Sequence, residues 1–415
     1  FVGIFEYASP VSEYLRGFNI MLPSIKNIYG ASLVMSMALF PYIFLLTKAH
    51  LSSVGIKVFK AAKSLGDNNI NAIRKVIIPS LWPTITAGMA LVIFETVADF
   101  GGVSTLRVET FTVGIYDAWF GYQSYFSAAR LAGYLLIFVF LIMLIMKYFG
   151  AKSNNLASKT AEKFQKIETS TFNKVIMSII CSIIFALIFC LPTSQLIIWY
   201  FSDSALNIFT NLQLLINSTF VGVFASCVTV FFAISLALSF RQLNSLKPFI
   251  IISTSGYAIP GSVISAGLLI GFHFLFDTSI TFYGIFGLII CLALRFMTPA
   301  FNYISTSLLN ISESAEYALA TQPSNQLKAF SYFYLPQMKP AIYLSLMLVF
   351  IESVKEQPAT LLLRPLGFDT LSTKIYNFTS EGQWEMAAGP SLFLVAISLI
   401  FVYVINKNID ISESK

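Results

Sequence analysis

The stretch KAAKSLGDNNINAIRKVIIP, Lys60 to Pro79, returns in altered form 257 residues further on as YALATQPSNQLKAFSYFYLP, Tyr317 to Pro336. A long apolar run follows each copy almost at once. A polar, helix-forming segment that recurs ahead of a spanning run in each half of a chain reads as a pair of docking sites for a two-fold partner. That points to a transport machine whose motor is a separate protein.

The surroundings of the two copies are those of an integral membrane protein. Hydrophobic residues make up 56%, charged residues 11%, and the mean hydropathy is +0.76. Soluble domains carry about 25% charged residues. The useful unit is therefore the spanning helix, which needs about 20 mostly apolar residues. Runs of that kind lie near 31–48, 82–100, 129–149, 174–198, 214–240, 249–275, 283–307, 340–362 and 389–406, which predicts nine helices. The expected fold is all-α: a polytopic helical bundle in the lipid bilayer.

Lysine and arginine orient it. Lys57, Lys60, Lys63, Arg74 and Lys75 share one loop; Lys147, Lys152, Lys159, Lys163, Lys166 and Lys174 share another. Arg241 and Lys247, then Lys328 and Lys339, then Lys407 and Lys415 complete the series. All fall on one side if nine helices alternate, and that side is cytoplasmic by the positive-inside rule. A net charge of +6 without a basic stripe on a soluble face gives no nucleic-acid partner. Cys181, Cys190, Cys227 and Cys291 lie inside apolar runs without CxxC spacing, as packing residues do.

The repeat continues beyond the loops. Pro79 and Pro336, Pro83 and Pro340, Ile85 and Ile342, and Glu95 and Glu352 all match at the same offset. A shift of three residues then lays ETFTVGIYDAW, from Glu109, over DTLSTKIYNFT, from Asp369, with Ile115–Tyr116 over Ile375–Tyr376. An ordered series of this kind indicates duplication. Two pseudo-symmetric halves are expected, residues 1–149 and 174–415, joined by a polar cytoplasmic linker at 150–173. The second half has six runs and the first three, so further helices are expected ahead of Phe1.

In the first copy, Phe59, Ala61, Ala62 and Leu65 offer small or apolar positions, Gly66 permits a tight turn, and Ile70, Ile73 and Ile77 recur at helical spacing before Pro79. Such a helix–turn–helix suits a groove on a soluble partner. An amphipathic helix resting on lipid headgroups is the alternative; two copies in register favour the partner.

At these residues the chain resembles the EAA loops of binding-protein-dependent ABC importers. The first copy keeps Ala61, Ala62, Gly66 and Pro79, with Lys60 where the family has Glu; the second keeps Ala318 and Pro336, with Pro323 in place of the Gly. The stretches Phe94 to Gly121 and Val354 to Trp384 look like the outward loops of ferric-iron permeases with two halves in one chain. The resemblance implies a type I permease fold and a transport subunit that is not itself an enzyme. It implies two copies of a cytoplasmic ABC ATPase, a periplasmic substrate-binding protein, and a bacterial inner-membrane location. The chain has no GxxxxGK[ST] motif, so no cofactor is expected on it; ATP and magnesium belong to the partner.

Charges near the membrane are functional candidates, because burying them there is costly. Glu95, Asp99, Glu352 and Glu356 lie near the outward ends of corresponding helices, and their carboxylates suit a hard cation. A structural reading stands beside this: Glu352 and Lys355 or Glu356 can simply pair or face water. Arg295, mid-run, requires a partner or a water-filled cavity. His50 and His273 read as interface residues. Two alternatives remain open: a permease for another solute such as thiamine, and an ion-coupled secondary transporter, for which the interruption at Gly256, Pro260 and Gly261 is the motivating feature.

Overall fold

Backbone N–H and C=O groups find no water in a bilayer, so an apolar chain must satisfy them within its own helices. The computed structural model describes residues 1–7, 9–51, 59, 62–66, 68–150, 170–201, 208–276, 280–312, 314–316 and 326–413, and its regular elements there are helices. Seven are long and apolar enough to cross a membrane, or nine if each of two bent pairs is one span. The bent pairs fall on the runs 249–275 and 283–307. The first is broken by 116° between Lys247–Ala258 and Gly261–Leu275, the second by 50° between Gly284–Arg295 and Met297–Leu309.

The 116° break has a local cause. Pro260 has no N–H to donate into a helix. A side chain at Gly256 would collide with the carbonyl oxygen of Leu294, so the backbone reaches that oxygen only because Gly256 has no Cβ. Tyr257 N–H donates to the Thr298 hydroxyl at 3.2 Å, and that hydroxyl donates to the Thr254 carbonyl. The two bends are thereby tied to each other.

Contacts divide the chain into two units. One comprises Phe1–Val108 and Tyr134–Gln195, the other Glu109–Gly133 and Leu196–Lys415. These are units of packing, whereas the expected halves are units of repeat.

In the first unit, helix Ile28–His50 is capped by Asn27, whose side chain accepts from Gly30 N–H at 2.9 Å. It packs along Ile78–Ala98. A Cβ on Gly88 would lie 3.0 Å from the Cα of Ile43, so the two backbones approach as closely as glycine allows. In the second unit, the 35-residue helix Ile208–Gln242 is central. It packs on Met297–Leu309, Leu335–Lys355 and Trp384–Glu413, and Ala225, Ala233 and Ala237 on it are fully buried.

The repeat is reproduced element by element. Short helix Asn69–Ala72, π-helical turn Ile73–Ile77 and the 21-residue helix Ile78–Ala98 recur as Gln326–Ala329, Phe330–Tyr334 and the 21-residue Leu335–Lys355, each 257 residues on. Packing repeats too. Gly88 against Ile43 becomes Ser345 against Ala300, where the Ser345 hydroxyl donates to the Ala300 carbonyl at 3.4 Å. A small residue at this position sets the spacing in both copies. Replacing Gly88 or Ser345 by Leu should each cost about 1–3 kcal/mol through overpacking, read as a lower unfolding temperature in detergent. Gly133→Leu, where a Cβ meets nothing within 4 Å, should not lower it.

Candidate functional site

Consider first the ends of the two repeated spanning helices. Asp99 and Glu356 are the residues that follow them, again 257 apart, both with extended backbone (ψ 139° and 122°). Each carboxylate turns towards the first turn of the next short helix. Asp99 Oδ2 accepts from Val103 N–H at 2.9 Å, and Glu356 Oε1 lies 3.5 Å from the Ala359 amide. An acid here complements the unsatisfied N–H groups of Gly101–Thr105 and Pro358–Leu363.

Glu356 does more. Its Oε1 is 2.7 Å from Arg295 Nη1, and the two side chains are only 6% and 8% exposed. Arg295 sits at the 50° bend and Glu356 at the end of Leu335–Lys355. Gly261, the first residue after the 116° break, completes the arrangement: a Cβ there would collide with Glu356 Oε1. One ion pair thus joins three helix discontinuities. A lone charge in this setting costs several kcal/mol, so each partner stabilises the other. Glu352 differs, pairing with Lys355 at 2.8 Å where the lysine is 43% exposed. Glu95, its counterpart in the first copy, is half-buried.

The chain after Glu356 is held by a polar network. Ser372 Oγ and Thr360 Oγ1 both donate to the Glu356 carbonyl, at 3.0 and 2.8 Å. Thr370 and Thr373 form a reciprocal cap that starts helix Leu371–Ser380. Arg364 pairs with Asp369 and donates to Thr373 Oγ1 at 3.2 Å. Ser218 and Asn217 on the central helix anchor the same turn, through Leu371 N–H and the Asp369 carbonyl at 2.8 Å each. Burial lowers the Arg364 pKa from its ordinary value. It raises that of Asp117, on the counterpart segment, with Glu109 adding in the same direction.

Among the expected coupling positions, Ala62, Gly66, Pro79 and Pro336 are described; Ala61, Ala318 and Pro323 lie outside the described residues, as does most of the linker, 151–169. Ala62 is buried and Leu65 is exposed. Gly66 has φ +92°, a conformation that other residues rarely adopt. Pro79 and Pro336 both stand in the first turn of the spanning helix, where no N–H is needed. Glu316, just ahead of the second loop, accepts from Arg241 at 2.9 Å and from the Tyr334 hydroxyl at 3.0 Å. Tyr334 belongs to the π-helical turn that follows the loop. Both ends of the loop therefore meet at one carboxylate.

All four acidic candidates fall at the ends of the repeated helices, and the offset that relates Glu95 to Glu352 also relates Asp99 to Glu356, a match that the change of residue type hides in the sequence. The Arg295 partner had no sequence signal, since 61 residues separate the pair.

The described residues thus form a multi-pass helical chain with an internal repeat and a short helix ahead of each repeated span. Residues 17–155 match the family of binding-protein-dependent transport system inner membrane components. Among curated relatives, the chain is 26% identical to the Fe(3+)-transport system permease protein FbpB 2 of Haemophilus influenzae, over 92% of this chain and 77% of that protein. It is 26% identical to the ferric transport system permease protein FbpB of Actinobacillus pleuropneumoniae, over 66% of this chain and 44% of that protein. A putative 2-aminoethylphosphonate transport system permease protein, PhnV of Salmonella typhimurium, is 23% identical over 54% of this chain and 90% of its own length. The chain thus spans most of the first and under half of the second.

Two substitutions separate the buried pair from the exposed one. Gly261→Ala should force Glu356 and Arg295 apart, at a cost approaching that of breaking a buried ion pair, about 3–5 kcal/mol. Glu352→Gln should cost no more than about 1 kcal/mol. Thermal unfolding monitored by size exclusion in detergent reads both.

Proposed function

We propose that the chain is the membrane-spanning permease subunit of an ATP-driven ferric-iron importer, coupled to two copies of a separate cytoplasmic ATPase and fed by a periplasmic binding protein. One observation carries the reading: the short helix and π-helical turn that close each copy of the loop, with the spanning helix after them, recur at a single offset of 257 residues. The printed names of the ferric permease relatives support iron as the substrate.

Each π-helical turn runs into its spanning helix without a break, so a displaced loop carries the helix with it. Closure of the ATPase dimer on ATP binding would push on Ala61, Ala62 and Gly66 in one loop and on Ala318 and Pro323 in the other. The helices beginning at Pro79 and Pro336 would then shift their far ends, where Glu95, Asp99, Glu352 and Glu356 lie. Glu356 serves the pathway by fixing its wall through Arg295. Glu95 and Glu352 are the carboxylates placed to meet a hard cation. The two loops dock with different strength. Gly66 turns the first loop at positive φ, whereas Glu316 and Tyr334 are joined to each other around the second.

Reconstitution with the cognate ATPase and binding protein in liposomes tests this. Uptake of radioactive ferric iron should require ATP hydrolysis and persist when ion gradients are collapsed. Gly66→Val should weaken docking by about 1–2 kcal/mol through the strained left-handed conformation, which is about 5- to 30-fold in an equilibrium. The ATPase recovered with the chain should fall accordingly. Uptake driven by an ion gradient alone, or of 2-aminoethylphosphonate in place of iron, would overturn the reading.

A further inference from the structure

The repeat brings one residue against its own counterpart. Helices Phe111–Tyr116 and Leu371–Ser380 begin 260 residues apart, and both follow a threonine with extended backbone, Thr110 and Thr370. One contact is shared: Thr110 and Thr112 hydroxyls are 2.9 Å apart, those of Thr370 and Ser372 3.1 Å, although only Thr370 caps its helix. At this same offset Tyr116 corresponds to Tyr376. The two rings touch edge to face, with centroids 5.6 Å apart and planes at 79°, and their hydroxyls are hydrogen-bonded to each other.

When two equivalent segments are related by a two-fold rotation, a residue meets its counterpart only at the axis. In transporters built from repeats, the pathway runs between the repeats, along that axis. We propose that Tyr116 and Tyr376 form a two-leaf gate that closes the outward end of the transport pathway, and that the pair separates once in each cycle. The proposal rests on the permease reading above.

The supports suit such a device. Helix Phe111–Tyr116 packs against Gly261–Phe276 and Pro358–Leu363, the helices that follow the 116° break and Glu356. The Tyr116 leaf is thereby seated on elements that start at a discontinuity, and the Tyr376 leaf packs on Trp384–Glu413 and the central helix. The closure itself is slight: one hydrogen bond and one aromatic edge contact, which a modest shift of either helix undoes. Phe120, on the π-helical turn Asp117–Gly121, lies tilted beside Tyr116 with centroids 5.0 Å apart, so that leaf is backed by a second ring.

The test uses the reconstituted complex, with Cys181, Cys190, Cys227 and Cys291 replaced by Ala. Tyr116→Cys with Tyr376→Cys leaves the space of two rings between the thiols, too wide for a direct disulfide, so a short bis-methanethiosulfonate should cross-link them in the absence of nucleotide. Cross-linking should cut ATP-driven iron uptake at least tenfold, and reduction should restore it to within twofold. Cross-linking should also slow severalfold when the ATPase is trapped in its ATP-bound form. Tyr116→Phe with Tyr376→Phe keeps both rings and should retain uptake within severalfold. Tyr116→Ala with Tyr376→Ala should admit ferric citrate without ATP at several times the parent's rate. Failure of the cysteines to cross-link, unchanged uptake after cross-linking, or an Ala pair as tight as the parent would overturn the gate. Parent complex that takes up no iron with ATP would instead overturn the permease reading, and the response of cross-linking to trapped ATP would still report gate movement.

Discussion

The ion pair between Arg295 and Glu356 is the interaction at which the three helix breaks of the second packing unit meet, and neither charge is tolerated there without the other. Three helices in that unit are broken, at Gly256–Gly261, at Arg295–Phe296 and after Lys355. Broken helices free backbone groups, and a bilayer interior offers them no water. The pair places one cation and one anion where the three breaks converge, with Glu356 Oε1 3.5 Å from the Ala359 amide. Glu356 then serves four roles at once: counter-ion to Arg295, neighbour of the Ala359 amide, carbonyl acceptor for Thr360 and Ser372, and end of the spanning helix. The absence of a side chain at Gly261 is what gives it room.

Duplication supplied the parts, and divergence made the copies unequal. The offset of 257 relates the π-helical turns, the spanning helices, the prolines inside them, and the small residues Gly88 and Ser345 where backbones approach. It also relates Asp99 to Glu356. The residue 257 before Arg295 is Ala38, so the acid of the first copy has no arginine at the matching place. In the first copy, Ile28–His50 runs on as one helix where the second copy bends. A cation at the bend and a bend at the cation belong together: the charge needs an exposed backbone turn and a carboxylate, and the turn needs a polar partner.

Much of this was legible in the sequence, for physical reasons. Hydrophobic run length found the spans because lipid fixes how long a span must be. The interruption at Gly256, Pro260 and Gly261 was visible because proline and glycine act locally. The size of the bend was not, since it depends on the Leu294 carbonyl more than thirty residues away. Arg295 announced that it needed a partner, but only the fold could choose among the acids. The alignment of Tyr116 with Tyr376 was in the repeat; that they touch was not, because a contact between copies leaves no trace in either copy alone.

Whether Arg295 and Glu356 act as one unit is measured by a double-mutant cycle. With Arg295→Met, Glu356→Leu and the pair of changes together, unfolding of the chain in lipid nanodiscs gives the interaction energy. Each single change should destabilise by about 3–5 kcal/mol, because it strands the other charge, and the double change should be close to neutral. Equal, additive losses in the double variant would show that the two residues do not support each other, and would contradict the account.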